Sequence, residues 1–489
     1  MGGEYAATFC KITPKGANYK TCLLYKQKYS MIGSDGVAKT IAAVATGNSA
    51  GGIGVIRISG DRAIEIADRI FKPADGSKLC DLAGYRAKFG NVICGGEAAD
   101  DAVALVFRAP KSYTGENTVE ISVHGGLYIV QKTLEAAFEA GAVPAEPGEF
   151  TKRAFLNGKM DLTQAESVAQ LISANGETAA KASYNLLQGS LSRQINGVLQ
   201  NLEDTSALMA AWVDYPDEEI PELEESELEK SLETAAASLE KLLAGYENGQ
   251  IMTQGVDTAI VGKPNAGKST LMNLLAGREK SIVTDIAGTT RDIVEESVRL
   301  GNITLRLSDT AGIRESDDTV EAIGIRRALE KIESAELVIA VFDNSRPLDE
   351  NDLKLIEKCR GKKAVAAVNK IDLNSGRLAP VEDAFAKTVY ISAKGDEYLD
   401  EVSCAVEEVL GVADFDSAAP MLANRRQKQC CKNALQSVNE ALDALHAGMT
   451  YDAINVMTDC AVDELLELMG KKATTEVVNN IFSKFCVGK

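Results

Sequence analysis

DTAIVGKPNAGKSTLMNLLAG, residues 257–277, runs an apolar stretch into a glycine-bounded loop and then into an apolar-periodic helix. Inside it, Gly262-Lys263-Pro264-Asn265-Ala266-Gly267-Lys268-Ser269 matches G-x-x-x-x-G-K-[ST] in the strand, loop and helix setting that the motif needs. Backbone N–H groups of such a loop, together with the helix N-terminus, favour anions. The stretch therefore predicts a phosphate cradle, with Lys268 reaching the β- and γ-oxygens of a nucleotide and Ser269 holding magnesium. Strand and helix patterns alternate around it from Val256 to about Gly411, which predicts a parallel sheet with crossover helices.

Downstream segments fall in the order a GTPase requires. Thr289-Thr290-Arg291-Asp292 supplies a threonine to close over magnesium and the γ-phosphate, and Asp309-Thr310-Ala311-Gly312 ends a strand with a metal-side carboxylate. Asn369-Lys370-Ile371-Asp372 follows the strand AVAAVN. A carboxylate at Asp372 accepts hydrogen bonds from guanine N1–H and the 2-amino group, which adenine does not offer, so the base read is guanine. Ser392-Ala393-Lys394 follows a further strand and would buttress that base. Where many GTPases place a water-orienting Gln, this chain has Ile313, which cannot activate water; Glu315, Asp317, Asp318 and Glu321 are the nearby acids. The amide oxygen of Asn265 is a candidate ligand for a monovalent cation that neutralises developing charge.

Outside this region the 489 residues exceed one ordinary core. β-rich runs separated by glycines occupy Thr40 to His124 and read as an α+β domain; long Ala/Leu/Glu/Gln segments fill Thr151 to about Gly249, and the helical pattern returns after Pro420. The fold class is thus multidomain α+β and α/β, with an α/β unit inserted into a split all-α domain. The expected boundaries are an extension at 1–38, an N-terminal domain at 39–155, helical halves at 156–250 and 413–489, and the inserted domain at 251–412.

A net charge of −19 repels a nucleic-acid backbone, so contact with RNA must be local or aided by a partner. Ten cysteines without a C-x-x-C pair, and only two histidines, indicate neither a zinc site nor a disulfide framework. The absence of a long apolar run predicts no membrane span, and the expected location is cytoplasmic.

The chain closely resembles the MnmE (TrmE) tRNA-modification GTPases from about Thr40 to Lys489. The motifs carrying the resemblance are GGIGVIRISG, SYTGENTVEISVHGG, PGEFTKRAFLNGKMDLTQAE, DYPDEEI, TDIAGTTRD and the terminal FCVGK. The resemblance implies an N-terminal folate-binding domain that also forms a homodimer, and a helical domain split by the GTPase domain. It also implies a heterotetramer-type complex with the flavoprotein MnmG, and tRNA as substrate. With MnmG, the family installs an aminomethyl or carboxymethylaminomethyl group at carbon 5 of the wobble uridine. The cofactors implied are GTP, Mg2+, K+ and 5-formyltetrahydrofolate or a related tetrahydrofolate as one-carbon donor.

Carried over position by position, the nucleotide set is Asn265, Ala266, Gly267, Lys268, Ser269, Thr270, Thr284, Asp285, Ile286, Ala287, Gly288, Thr289, Thr290, Asp309, Thr310, Ala311, Gly312, Asn369, Lys370, Asp372, Ser392, Ala393 and Lys394. Magnesium falls to Ser269 and Thr290, and potassium to Asn265, Thr284, Ile286 and Thr289. Glu321 takes the water-orienting role beside Lys268. Arg57, Glu120, Lys159 and Lys489 are the implied folate contacts, and Cys486 in C-x-G-K the functional thiol. Alone, Arg57 and Lys159 read as surface charges and Cys486 as a small core residue; the surrounding motifs give them function. One departure is Gly47-Asn48-Ser49-Ala50 where the family commonly has Pro-Pro-Gly-Arg.

Two other functions fit parts of the chain. A ribosome-assembly GTPase would share Asn265, Asp309 to Gly312 and Asn369 to Asp372, but would carry a basic RNA-binding module that is not visible here. An aminomethyltransferase-like enzyme acting on protein would use the N-terminal half with the GTPase as regulator.

Overall fold

A computed structural model describes residues 39–47, 49–214, 224–278, 296–307, 332–373, 376–395 and 397–489. The described residues divide into two compact units, one holding 39–165 and 472–489, the other 166–471.

The first unit is built on a seven-stranded sheet of order β3-β4-β5-β6-β2-β1-β7. Its strands are β1 Ile41–Val44, β2 Ile53–Ser59, β3 Phe71–Pro73, β4 Arg86–Cys94, β5 Glu97–Phe107, β6 Thr118–His124 and β7 Val143–Pro144. Neighbours run antiparallel except β1 and β7. Alternation along β2 sends Ile56 and Ile58 to one face, where they bury against Ile66 and Ile70 of the helix Ala63–Ile70 and Ala137 and Phe138 of the helix Leu127–Glu139. Arg57 lies on the other face, opposite Ala43 on β1 and Glu120 on β6. That face carries a smaller cluster of Ile41, Ala43, Ala145 and Phe150, the last from the helix Glu149–Leu156.

The second unit contains the split helical bundle. The helices Ser190–Asp214 and Glu225–Ala244 precede the inserted sheet in sequence, and Arg425–His446 and Tyr451–Met469 follow it. All four contribute to one core, with Ile195, Leu202, Leu232, Leu239, Ala434, Val438, Ile454 and Leu465 fully buried. Arg426 closes the bundle's end. Its guanidinium donates to both Glu166 oxygens at 3.0 and 2.9 Å, and to the last-turn carbonyls of Glu467 and Leu468 at 3.2 and 3.0 Å.

The inserted sheet has six strands, β8 Val256–Gly262, β9 Glu296–Leu300, β10 Ile303–Leu307, β11 Leu337–Asp343, β12 Ala364–Asn369 and β13 Lys387–Tyr390, in the order β13-β12-β11-β8-β10-β9. Only the β9–β10 pair is antiparallel. The strands β11 and β12 are buried along their whole length, as expected of central strands covered on both faces. Alternate residues divide between two cores. Ile339, Val341, Val365 and Ala367 meet Leu271 and Leu275 of the helix Lys268–Arg278 and Val402 and Val406 of the helix Leu399–Leu410. Val338, Ala340, Phe342, Ala366 and Val368 meet Ile356 and Cys359 of the helix Glu350–Cys359. The multidomain α+β and α/β expectation is met in both units. No helix among the described residues is long and apolar enough to cross a membrane.

Candidate functional site

Parallel topology places the ends of β8, β11 and β12 side by side, at the sheet edge where open α/β folds bind ligands. At that edge a cavity of about 380 Å³ is lined by Asn265, Gly267, Lys268, Ser269, Thr270, Asn369, Lys370, Asp372, Leu373, Ser392, Ala393 and Lys394. The structure thus gathers residues expected from three separate motifs. Leu373, 63% exposed, was not anticipated and adds an apolar surface beside Asp372.

Asn369 ties the motifs together. Its Nδ2 donates to the Ala266 carbonyl at 2.9 Å, while its Oδ1 accepts from the backbone N–H groups of Lys370 at 2.8 Å and Ala393 at 2.9 Å. Gly267 makes this possible: its φ is 103°, and a Cβ there would collide with the Asn369 amide. Asn265 and Lys370 also take left-handed backbone conformations, with φ of 60° and 69°, a costly geometry that clusters at ligand sites. Asn265 is exposed on the cavity wall.

Asp372 accepts from Lys394 Nζ at 2.7 Å and from Ser392 Oγ at 3.1 Å. The lysine bond, aided by the hydroxyl, holds the carboxyl below the usual range, so it is an anion and a hydrogen-bond acceptor at neutral pH. Lys268 Nζ donates to the Lys263 carbonyl at 2.6 Å, and burial pushes its ammonium below the ordinary lysine range. The side chain of Lys263 points elsewhere, pairing with Asp352 at 2.6 Å and with Asp349, the capping box of the helix Glu350–Cys359. Sequence reading missed this brace, since nothing in the phosphate-loop pattern specifies its second residue.

Thr284, Asp285, Ile286, Ala287, Gly288, Thr289, Thr290, Asp309, Thr310, Ala311, Gly312, Ile313, Glu315, Asp317, Asp318 and Glu321 lie outside the described residues.

A second constellation lies in the first unit. Arg57 Nε donates to Glu120 at 2.8 Å, and Arg57 Nη1 to the Gly488 carbonyl at 3.3 Å. The guanidinium sits 5.5 Å from the Phe150 ring and 5.7 Å from the Tyr113 ring, within cation–π range. Lys159 Nζ donates to the Pro110 carbonyl at 3.2 Å, at the base of the loop that carries Tyr113. Phe150 N–H donates to the Lys489 carbonyl at 3.2 Å. Segments from VIRISG, SYTGEN, PGEF and the C-terminal CVGK therefore meet around one guanidinium. Cys486 is exposed, not part of a core. Tyr113 and Phe150 were not singled out from sequence, although both fall within motifs of this unit.

A sequence profile described as GTP-binding protein TrmE N-terminus matches residues 40–159, and one described as MnmE helical domain matches residues 162–486. A protein of Acetivibrio thermocellus named tRNA modification GTPase MnmE is 38% identical over 456 residues, covering 92% of this chain and 99% of that protein. Its namesake from Symbiobacterium thermophilum is 40% identical over 456 residues, with the same coverages of 92% and 99%. The crystal structure of the G domain of the T. maritima FeoB iron transporter is 28% identical, covering 32% of this chain and 98% of that one, at a TM-score of 0.24. With relatives of this identity aligned over nearly their whole length, and both profiles matched in order, the chain belongs to the MnmE family of tRNA modification GTPases.

Proposed function

We propose that this chain is a potassium-dependent GTPase that works with an MnmG-type flavoprotein to install the C5 aminomethyl or carboxymethylaminomethyl group on wobble uridines of tRNA. GTP hydrolysis rests most directly on the Asn369 bridge, which joins the phosphate loop to the guanine loop as one body. Within that body Asp372, already ionised and aligned by Lys394 and Ser392, accepts the two guanine donors. Lys268 leaves the Lys263 carbonyl for the β- and γ-phosphate oxygens, where its buried ammonium acts in a poorly screened setting.

Ser269, exposed in the cavity at the first turn of its helix, would hold magnesium together with Thr290, and the ion would supply charge neutralisation at the phosphates. The Asn265 side chain on the cavity wall fits a potassium ligand, to be completed by Thr284, Ile286 and Thr289. Glu321 is the proposed water-orienting group.

In the first unit, Arg57, Glu120, Lys159 and Lys489 are the proposed contacts for 5-formyltetrahydrofolate or a related one-carbon donor. A guanidinium between two aromatic rings suits a planar, anionic ligand. Ala50 stands where the family's usual arginine would be, which removes one cation from the anion-binding set of this unit. Phe89 and Val103, cross-strand partners on β4 and β5, are exposed large apolar groups, which supports a homodimer formed through this unit.

The test is mass spectrometry of nucleosides from total tRNA with and without this gene. The expected result is loss of the C5-aminomethyl family of uridines, restored by the intact chain but not by Cys486→Ser. Unchanged uridines would leave the GTPase without this output and favour a role in ribosome assembly.

A further inference from the structure

We infer that the tail carrying Cys486 is clamped by the N-terminus of the helix Glu149–Leu156 and by Arg57, which makes Gly148, Phe485 and Gly488 positioning residues for that thiol. The inference rests on the functional reading of Cys486 and adds what holds it in place.

The first N–H groups of any helix have no partner within the helix. Gly148 stands at the N-cap of Glu149–Leu156, has no side chain with which to cap, and the helix has no side-chain capping bond. The tail fills the role from outside. Gly148 N–H donates to the Cys486 carbonyl at 3.3 Å, and Phe150 N–H to the Lys489 carbonyl at 3.2 Å. Arg57 adds a third bond, to the Gly488 carbonyl lying between those two. Three donors from two elements thus take carbonyls of residues 486, 488 and 489.

Burial along the tail has the same logic. Phe485 and Gly488 are buried, while Cys486 and Val487 between them are exposed. Phe485 stacks on Phe482 at 5.3 Å, and Phe482 in turn meets Phe155 of the docking helix at 6.3 Å. Gly488, at a φ of 95°, lies so close to the Val44 carbonyl that any Cβ would collide with it. A thiol between two buried anchors and beside three backbone bonds is presented to solvent from a fixed backbone. A cysteine whose only task was to fill space would occupy an anchor position instead.

Gly148 is the complementary half of the clamp. A side chain there would meet the Phe482 carbonyl at 2.7 Å and the Phe485 Cβ at 2.9 Å, so Gly148→Ala pushes directly on the anchor next to the thiol.

The experiment places a nitroxide spin label on Cys486 in the full chain, with Cys10, Cys22, Cys80, Cys404 and Cys460 changed to Ser. The parent protein is expected to give a restrained spectrum. Gly148→Ala and Phe485→Ala are each expected to lose the restrained component, and the same variants, unlabelled, to lose wobble-uridine modification in cells. Phe485→Ala adds no backbone strain and carries the test should Gly148→Ala fail to fold. A mobile label in the parent, or a restrained one in the Phe485→Ala variant, overturns the clamp. A freed label with modification intact overturns the positioning role. If Cys486→Ser itself leaves modification intact while the clamp is seen by the label, it is the functional reading of the thiol that fails.

Discussion

Asn369 Nδ2 lies 2.9 Å from the carbonyl oxygen of Ala266, a residue more than a hundred positions earlier in the chain, and the bond is buried. It makes the Asn369–Asp372 loop, the proposed guanine reader, and the glycine-bounded Gly262–Ser269 loop a single part. The Asn369→Ala variant removes this bond and both bonds to Oδ1, leaving the N–H groups of Lys370 and Ala393 and the Ala266 carbonyl without that partner. The expected cost is about 2–4 kcal/mol of stability in the second unit, with GTP affinity lowered roughly ten- to a hundredfold. Chemical denaturation and a fluorescent-nucleotide titration measure the two effects. Unchanged affinity in a destabilised protein would mean that the bridge serves folding alone.

Asp372 makes a prediction about pH. Lys394 and Ser392 depress its pKa, so the carboxylate is present at neutral pH and is lost only as pH falls through that depressed value. The proposed guanine recognition by Asp372 needs the ionised form. The loss of GTP binding by the intact protein is therefore expected at lower pH than an unpaired aspartate would give. Lys394→Met removes the main cause of the depression and should shift the onset of loss to higher pH, with weaker binding throughout. Nucleotide titrations across acidic buffers from about pH 6 down to about pH 3 check this; coincident profiles for the two proteins would reject the coupling.

These two residues also mark how far the sequence could be read. The apolar runs of β11 and β12 and the phosphate-loop pattern are local signals, so the inserted sheet and most of its cavity are legible without coordinates. The place of Asp372 in that cavity was legible for the same reason. The Asn369 bridge, the Lys263 brace to Asp349 and Asp352, and the pairing of Arg57 with Glu120 depend on register and packing between distant segments, which periodicity does not encode. Nor does helical periodicity assign residues 472–489 to the first unit; Gly148 and Gly488, which admit the tail, show their purpose only once the backbones meet.

Arg426 predicts a stability effect remote from both sites. Its partner Glu166 is 8% exposed and also accepts from Gln427 Nε2 at 2.6 Å. Arg426→Met strands a buried carboxylate and uncaps the carbonyls of Glu467 and Leu468. A loss of about 3–5 kcal/mol is expected by urea denaturation. Adding Glu166→Gln removes the stranded charge and should recover part of the loss. No recovery would assign the effect to the helix carbonyls instead.

Potassium gives the sharpest test of the hydrolytic mechanism. Asn265 holds a left-handed backbone conformation at the cavity wall, with its side chain exposed there. In this chain Ile313 stands where a water-orienting glutamine is common. A cation bound by Asn265 would supply positive charge where the phosphate leaving group develops negative charge, an effect worth roughly a hundredfold in rate when one such stabilising group is removed. Turnover is therefore expected to be much faster in potassium chloride than in sodium chloride at equal ionic strength. Asn265→Ala should abolish the difference by slowing the potassium rate, not by raising the sodium rate. Equal turnover of the parent protein in both salts would remove the cation from the mechanism and leave the Asn265 conformation to be explained by the path of the phosphate loop alone.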